Sequence, residues 1–125
     1  DYHYNETPEF FYQVEGDMTL KIINDDNEFE DIPIKEGEIF LLPPKVPHSP
    51  QRYENTVGLV IEQKRPEGVN DALEWYCDNC GNKLYREEFP LTNIKEQLPK
   101  VFENYYSDEN KRSCDSCGEV MEDRR

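Results

Sequence analysis

Phe10-Phe11-Tyr12-Gln13-Val14, followed by Glu15-Gly16-Asp17 and then Met18-Thr19-Leu20-Lys21-Ile22-Ile23, is the stretch on which the fold turns. An aromatic and apolar run, a turn signal and a second run with partial alternation predict two short strands joined tightly. The same pattern continues outward. Asn24-Asp25-Asp26-Asn27 is a polar group of turn formers and predicts a hairpin loop. Phe29, Ile32 and Ile34 resume the apolar pattern, Glu36-Gly37 marks another turn, and Ile39-Phe40-Leu41-Leu42 and Thr56 to Glu62 supply further strands. No convincing helical period interrupts residues 1–63. Short strands punctuated by Gly, Pro and acidic turns predict an all-β unit, an antiparallel sandwich or small barrel.

Composition sets the outer bounds. The 125 residues carry 28 acidic and 14 basic side chains, a net charge of −14 that would repel a phosphate backbone, so no nucleic-acid partner is expected. Aromatic residues make up 12 %, too many for an acidic disordered segment. No apolar run approaches the roughly 20 residues of a membrane-spanning helix, so no membrane partner is expected either. The first strong motif falls within ten residues of Asp1, which is not Met; this favours a segment preceding it.

Near Arg65 the composition shifts, and Pro66-Glu67-Gly68 breaks the last strand. The expected division is residues 1–66 as the β unit and 67–125 as a C-terminal extension. In the extension, Leu91 to Leu98 reads as a helix with Thr92 as N-cap, Ile94 and Leu98 on one face, and Val101 and Phe102 continuing that face beyond Pro99.

All four cysteines lie in two copies of one pattern, Cys77-Asp78-Asn79-Cys80-Gly81 and Cys114-Asp115-Ser116-Cys117-Gly118. Paired knuckles of this kind let Cys77, Cys80, Cys114 and Cys117 converge as thiolates on one ion, the glycine permitting the tight turn that aims backbone N–H groups at sulfur. Two disulfides are the competing reading. A disulfide inside each knuckle would be a poor staple, and one between knuckles would not need the matched spacing. Four thiolates leave no open coordination position, so the site is expected to be structural or electron-transferring; iron and zinc both fit. Reduced thiolates point to a reducing compartment, the cytoplasm.

The two histidines, His3 and His48, stand in distinct contexts: His3-Tyr4-Asn5-Glu6-Thr7-Pro8-Glu9 with Gly16 beyond, and Gly37 followed by Pro43-Pro44-Lys45-Val46-Pro47-His48. In a small barrel, His3, Glu9 and His48 can face inward together. Two imidazoles and one carboxylate on one side of an ion leave other positions open, the facial arrangement of non-haem Fe(II) oxygenases.

These residues resemble the two motifs of the cupin superfamily, whose fold is a double-stranded β-helix or jelly-roll barrel. Asn5 stands where the first motif has a second histidine, and Lys45 where the second has glycine. The run Asp1 to Gln13, the run Pro43 to Arg52, Val57-Gly58-Leu59-Val60-Ile61-Glu62 and the double cysteine pair together resemble the 3-hydroxyanthranilate 3,4-dioxygenase family, in its form with a C-terminal rubredoxin-like metal site. The resemblance spans residues 1 to about 120. It implies Fe(II) on His3, Glu9 and His48, and a second Fe or Zn on the four cysteines. It also implies the substrates 3-hydroxyanthranilate and O2, ring opening to 2-amino-3-carboxymuconate semialdehyde in the kynurenine route toward quinolinate and NAD, and a homodimer. Arg52 matches the residue that anchors the substrate carboxylate, and Glu62 the carboxylate that hydrogen-bonds the substrate amino or hydroxyl group and accepts its proton. The family's second arginine would fall upstream of Asp1. Two other functions compete: a non-enzymatic metal-binding interaction module, and a cupin dioxygenase for a thiol or another aromatic.

Overall fold

A computed structural model describes residues 1–125 in full, as two compact units: Tyr2–Val69, and Asn70–Arg125 together with Asp1.

The first unit is built from seven strands: β1 (Tyr2–Tyr4), β2 (Glu9–Glu15), β3 (Met18–Ile23), β4 (Phe29–Ile34), β5 (Ile39–Leu42), β6 (His48–Gln51) and β7 (Val57–Glu62). β4, β3, β6 and β1 lie side by side as antiparallel neighbours, and β5, β2 and β7 form a second antiparallel sheet. On β2, Glu9, Phe11 and Gln13 are buried while Tyr12 and Val14 are exposed, the period-two signature of a strand with one face inward. Phe11 and Leu42 from the three-stranded sheet meet Met18, Leu20, Ile22 and Ile34 from the other in a single apolar core. Burial of these side chains, each stabilising by about 1.5–3 kcal/mol, holds the sheets face to face. The result is the cupin-type jelly-roll.

The turns follow their residues. Asn24 Oδ1 accepts from the backbone N–H of Asp26 and of Glu28, and Asn27 sits at φ 58, so the asparagines shape the hairpin between β3 and β4. β6 escaped the sequence reading because Pro47 and Pro50 flank and interrupt its four residues; its pairing with β3, Ile22 opposite His48, makes it a strand.

The second unit holds a hairpin of β8 (Asp71–Tyr76) and β9 (Lys83–Phe89), then α1 (Ile94–Tyr106) and α2 (Glu109–Arg112). β8 is buried from Asp71 through Trp75, and so shows no alternation in sequence. Its core gathers Leu73, Trp75, Phe89, Val101 and Tyr105, with the Trp75 and Tyr105 rings stacked at 4.4 Å. The expected helix is present with two corrections. Asn93, not Thr92, is the N-cap: its side chain accepts from Glu96 N–H, while Gln97 Oε1 turns back to accept from Thr92 and Asn93 N–H. Ile94 is exposed, and the helix runs through Pro99 to Tyr106. An interior proline forfeits a hydrogen bond and crowds the preceding turn; packing of Val101 and Tyr105 in the core outweighs it.

Candidate metal centres and substrate site

The barrel centre is assembled by register. β1 and β6 pair with His3 opposite His48, while Glu9 opens β2 opposite Leu42 of β5 and Glu62 of β7. One ligand atom from each of His3, Glu9 and His48 lies within 4.8 Å of the others. His48 Nε2 is 3.2 Å from Glu9 Oε2, and the two imidazole rings stack at 5.6 Å with 19° between planes. Donors on bonds of about 2.1 Å at right angles around one ion stand about 3 Å apart, close to the 3.2 Å between His48 Nε2 and Glu9 Oε2.

The hydrogen bonds around these side chains prepare them for a cation. His48 Nδ1 contacts the Val46 carbonyl at 2.9 Å. A carbonyl only accepts, so Nδ1 carries the proton and Nε2 is left to face Glu9. A bare nitrogen lone pair against a carboxylate would be repulsive; a proton between them makes an ion pair, and a metal ion between them makes both groups ligands.

Asn5, which the sequence offered only as a replaced histidine, is buried with a structural task. Its Nδ2 donates to Glu9 Oε1 at 2.9 Å, while its Oδ1 accepts from the Thr7 backbone N–H and Oγ1, each at 2.7 Å. Every polar atom of that amide is engaged, and one carboxylate oxygen of Glu9 is tethered while the other faces His48. Its position, an amide where the motif has a histidine and four residues before Glu9, is visible in the sequence; its burial and its hold on Glu9 are not. Lys45, in the place of the motif's glycine, keeps the left-handed backbone at φ 65, and its N–H donates to the Asn5 carbonyl at 2.8 Å, tying the His48 loop to the Asn5 turn.

Burial would raise the Glu9 carboxyl, but when a proton sits on His48 Nε2 its hydrogen bond and charge, with hydrogen bonds involving Glu62 and Asn5, hold it down to about 2. Glu62 moves the other way. Burial first, then the adjoining Glu9 carboxylate, push it up against the pull of Arg65, whose Nη1 stands 3.1 Å from Glu62 Oε2.

Arg52 is exposed as a residue, but its guanidinium reaches toward the buried face. Its Nη1 meets the Met18 sulfur at 3.7 Å, and no carboxylate stands within ion-pair distance of its guanidinium, although the chain has 28 acidic residues.

The second candidate centre repeats one local design twice. Gly81 N–H donates to Cys77 O and Gly118 N–H to Cys114 O, each at 2.9 Å, with both glycines at positive φ of 79 and 82. Cys77 N–H donates to Asn82 O and Cys114 N–H to Glu119 O, each at 2.8 Å, which closes the two knuckles identically. All four thiols are free, with Cys77 and Cys117 sulfurs 3.6 Å apart and Cys80 and Cys114 sulfurs 3.5 Å apart. A disulfide would bring sulfurs to about 2.05 Å, whereas a tetrahedral ion with bonds of about 2.3 Å sets them about 3.8 Å apart. The spacing fits the ion. The Cys117 backbone N–H leads the groups that pull Cys114 down to about 6, against its burial. The Asn82 N–H favours a thiolate at Cys80, yet hydrogen bonds with the other sulfurs and burial push it up to about 11. A cation shared among the four crowded sulfurs would let all of them bind as thiolates.

A solved structure of oxalate decarboxylase from Bacillus subtilis is 16 % identical and matches 89 % of this chain and 25 % of its own, with a TM-score of 0.48. Among curated relatives, a protein of Jannaschia sp. (strain CCS1) is 60 % identical over 121 residues, which are 96 % of this chain and 67 % of the relative. One from Candida albicans is 51 % identical over 125 residues, all of this chain and 72 % of the relative. One from Ruegeria pomeroyi is 54 % identical over 121 residues, with coverage of 96 % and 67 %. All three are named 3-hydroxyanthranilate 3,4-dioxygenase. The family model described as 3-hydroxyanthranilic acid dioxygenase matches residues 1–106, and the chain belongs to that family.

Proposed function

We propose that this chain opens the aromatic ring of 3-hydroxyanthranilate with O2, giving 2-amino-3-carboxymuconate semialdehyde, at an Fe(II) held by His3, Glu9 and His48. One observation carries the reading: two imidazoles and a carboxylate from separate strands converge within 4.8 Å, and an arginine without an acidic partner reaches the buried Met18 with its guanidinium. Fe(II) bound there supplies the electron chemistry that couples dioxygen to the ring. The remaining tasks fall to the chain's own side chains. Asn5 and the Val46 carbonyl hold two of the ligands at fixed orientation, so that little reorganisation is needed on binding. Arg52 receives the substrate carboxylate as a planar two-point donor. Glu62, opposite Glu9 across β2 and β7, accepts a hydrogen bond from the substrate's amino or hydroxyl group and takes up its proton.

The four cysteines hold a second ion, Fe or Zn, with a structural role, because a closed set of four thiolates leaves no seat for a reactant. Reduced thiolates at this site favour the cytoplasm. A second copy of the chain is the proposed partner. Its support is the outer face of the three-stranded sheet, where Tyr12, Ile39, Leu41, Leu59 and Ile61 are exposed side by side. A concentration-independent monomer in sedimentation would overturn that pairing.

The direct test adds 3-hydroxyanthranilate to ferrous-loaded protein and follows oxygen uptake together with the growing muconate semialdehyde absorbance. One oxygen consumed per product formed is expected. Iron-loaded protein that binds the ligand yet yields no product would overturn the assignment.

A further inference from the structure

Glu9, Phe11 and Gln13 form the inward row of β2, and their partners across β7 are Glu62, Val60 and Gly58. The Glu9 end of this row carries the metal cluster. The other end holds an unusual group. Gln13 has no exposure at all, yet neither its side-chain oxygen nor its side-chain nitrogen has a hydrogen-bond partner. A buried amide left unpaired costs about 1–3 kcal/mol per polar group, so it invites a functional account.

Gly58 indicates where this amide is aimed. A Cβ built on Gly58 would fall 2.6 Å from Gln13 Oε1 and 2.2 Å from Arg52 Nη1. Both atoms therefore crowd the one point that a side chain at 58 would occupy, and they lie within about 5 Å of each other. The only hydrogen bond made by Arg52 is the 3.7 Å contact of Nη1 with the Met18 thioether, a weak acceptor. An amide oxygen with nothing to accept and a guanidinium with nothing better than sulfur thus face one gap beside Gly58, where the buried Gln13 meets the exposed Arg52 and a glycine keeps the space open.

We infer that Gln13 is a positioning residue for Arg52: its Oε1 accepts from the guanidinium through the space left by Gly58 and turns the remaining N–H groups toward a bound carboxylate. The inference rests on the reading of Arg52 as carboxylate anchor and adds to it the two residues that aim the anchor. It also explains why a full-size side chain is not accommodated beside Gln13. Two flexible ends meet at Gly58, so an added methyl displaces the guanidinium and the amide rather than the backbone.

The test measures binding, under argon, of two ligands to the ferrous-loaded protein: 3-hydroxyanthranilate, and 2-aminophenol, which keeps the amino and hydroxyl groups but lacks the carboxylate. Gln13→Met removes the amide at similar length, and Gly58→Ala fills the gap while leaving Gln13 in place. Each is expected to weaken 3-hydroxyanthranilate about tenfold, the worth of one hydrogen bond to a charged group, and to leave 2-aminophenol unchanged. Weaker binding of both ligands alike, or of neither, in folded variants would overturn the inference. Arg52→Ala separates this from the parent reading. If Arg52→Ala loses the carboxylated ligand while Gln13→Met and Gly58→Ala do not, only the positioning role fails. Should the unaltered protein bind both ligands equally, the anchor assignment fails and the positioning role with it.

Discussion

The two candidate metal centres are opposite solutions to holding a cation. The barrel site draws three ligands from three strands distant in sequence, and one of them, Glu9, is steered by a buried amide. The cysteine site draws four ligands from two copies of one local turn, each closed by its own backbone hydrogen bonds. Three mixed nitrogen and oxygen donors leave room for reactants; four thiolates do not. A site assembled by long-range register can be left open because the surrounding sheets already fix its shape. A site assembled by local turns in a small unit closes around its ion, and metal binding there counts as folding free energy.

That contrast can be broken at either end. His48→Ala removes a ligand with no local substitute, so turnover should fall to background while metal at the cysteine site stays at full stoichiometry. Product formation and metal analysis on the same sample check both halves, and residual turnover near that of the unaltered protein would contradict the ligand assignment. Cys114→Ser should instead release the thiolate-bound ion and lower the melting temperature by several degrees, since structural metal contributes directly to folding. Its turnover should fall far less than that of His48→Ala; equal losses would show the two centres to be one functional unit.

A smaller effect sharpens the open side of the comparison. Asn5→Ala leaves all three ligands in place but frees Glu9 Oε1 from its 2.9 Å donor. Iron affinity should drop about 10–100-fold, the usual scale for losing a partner of a ligand, and competition with a chelator measures it.

The smallest effect concerns the C-terminal unit apart from its metal. Glu74 is buried, with Lys83 Nζ, Arg86 Nη1 and the Tyr76 hydroxyl all at 2.9 Å. Burial alone would raise its carboxyl, but these donors hold it below the ordinary value. A carboxyl depressed in the folded state stabilises above its unfolded pKa, and the contribution fades as pH falls through the folded value. Glu74→Gln should therefore cost about 1–3 kcal/mol at neutral pH, with the gap from the unaltered protein narrowing under acid. Thermal melts at a series of pH values test the sign; a gap that widens on acidification would contradict it.

The strands from Phe10 to Leu42 and from Val57 to Glu62 were legible because each alternates or is bounded by turn formers, information carried within a few residues. β8 was hidden because burial from Asp71 through Trp75 erases alternation, and β6 because its prolines mask a strand that only its pairing partners define. The helix passing Pro99 was only half legible, since its continuation depends on a Trp75–Tyr105 stack formed by residues 30 positions apart. At the barrel site the ligand types were readable from spacing. The amide brace of Asn5 and the unpaired Gln13 beside Arg52 were not, because neither burial nor a missing partner is written in a linear string.

By itself the sequence determined the β character of the first unit, the four-thiolate set and the three residues able to form an open metal site, since each follows from residue type and local spacing. Tertiary structure alone decided that His3 stands opposite His48, that Glu9 is tethered on one oxygen only, and that Gly58 leaves a gap where Gln13 and Arg52 meet. These depend on strand register, and a shift of one residue would turn every one of those side chains to the other face.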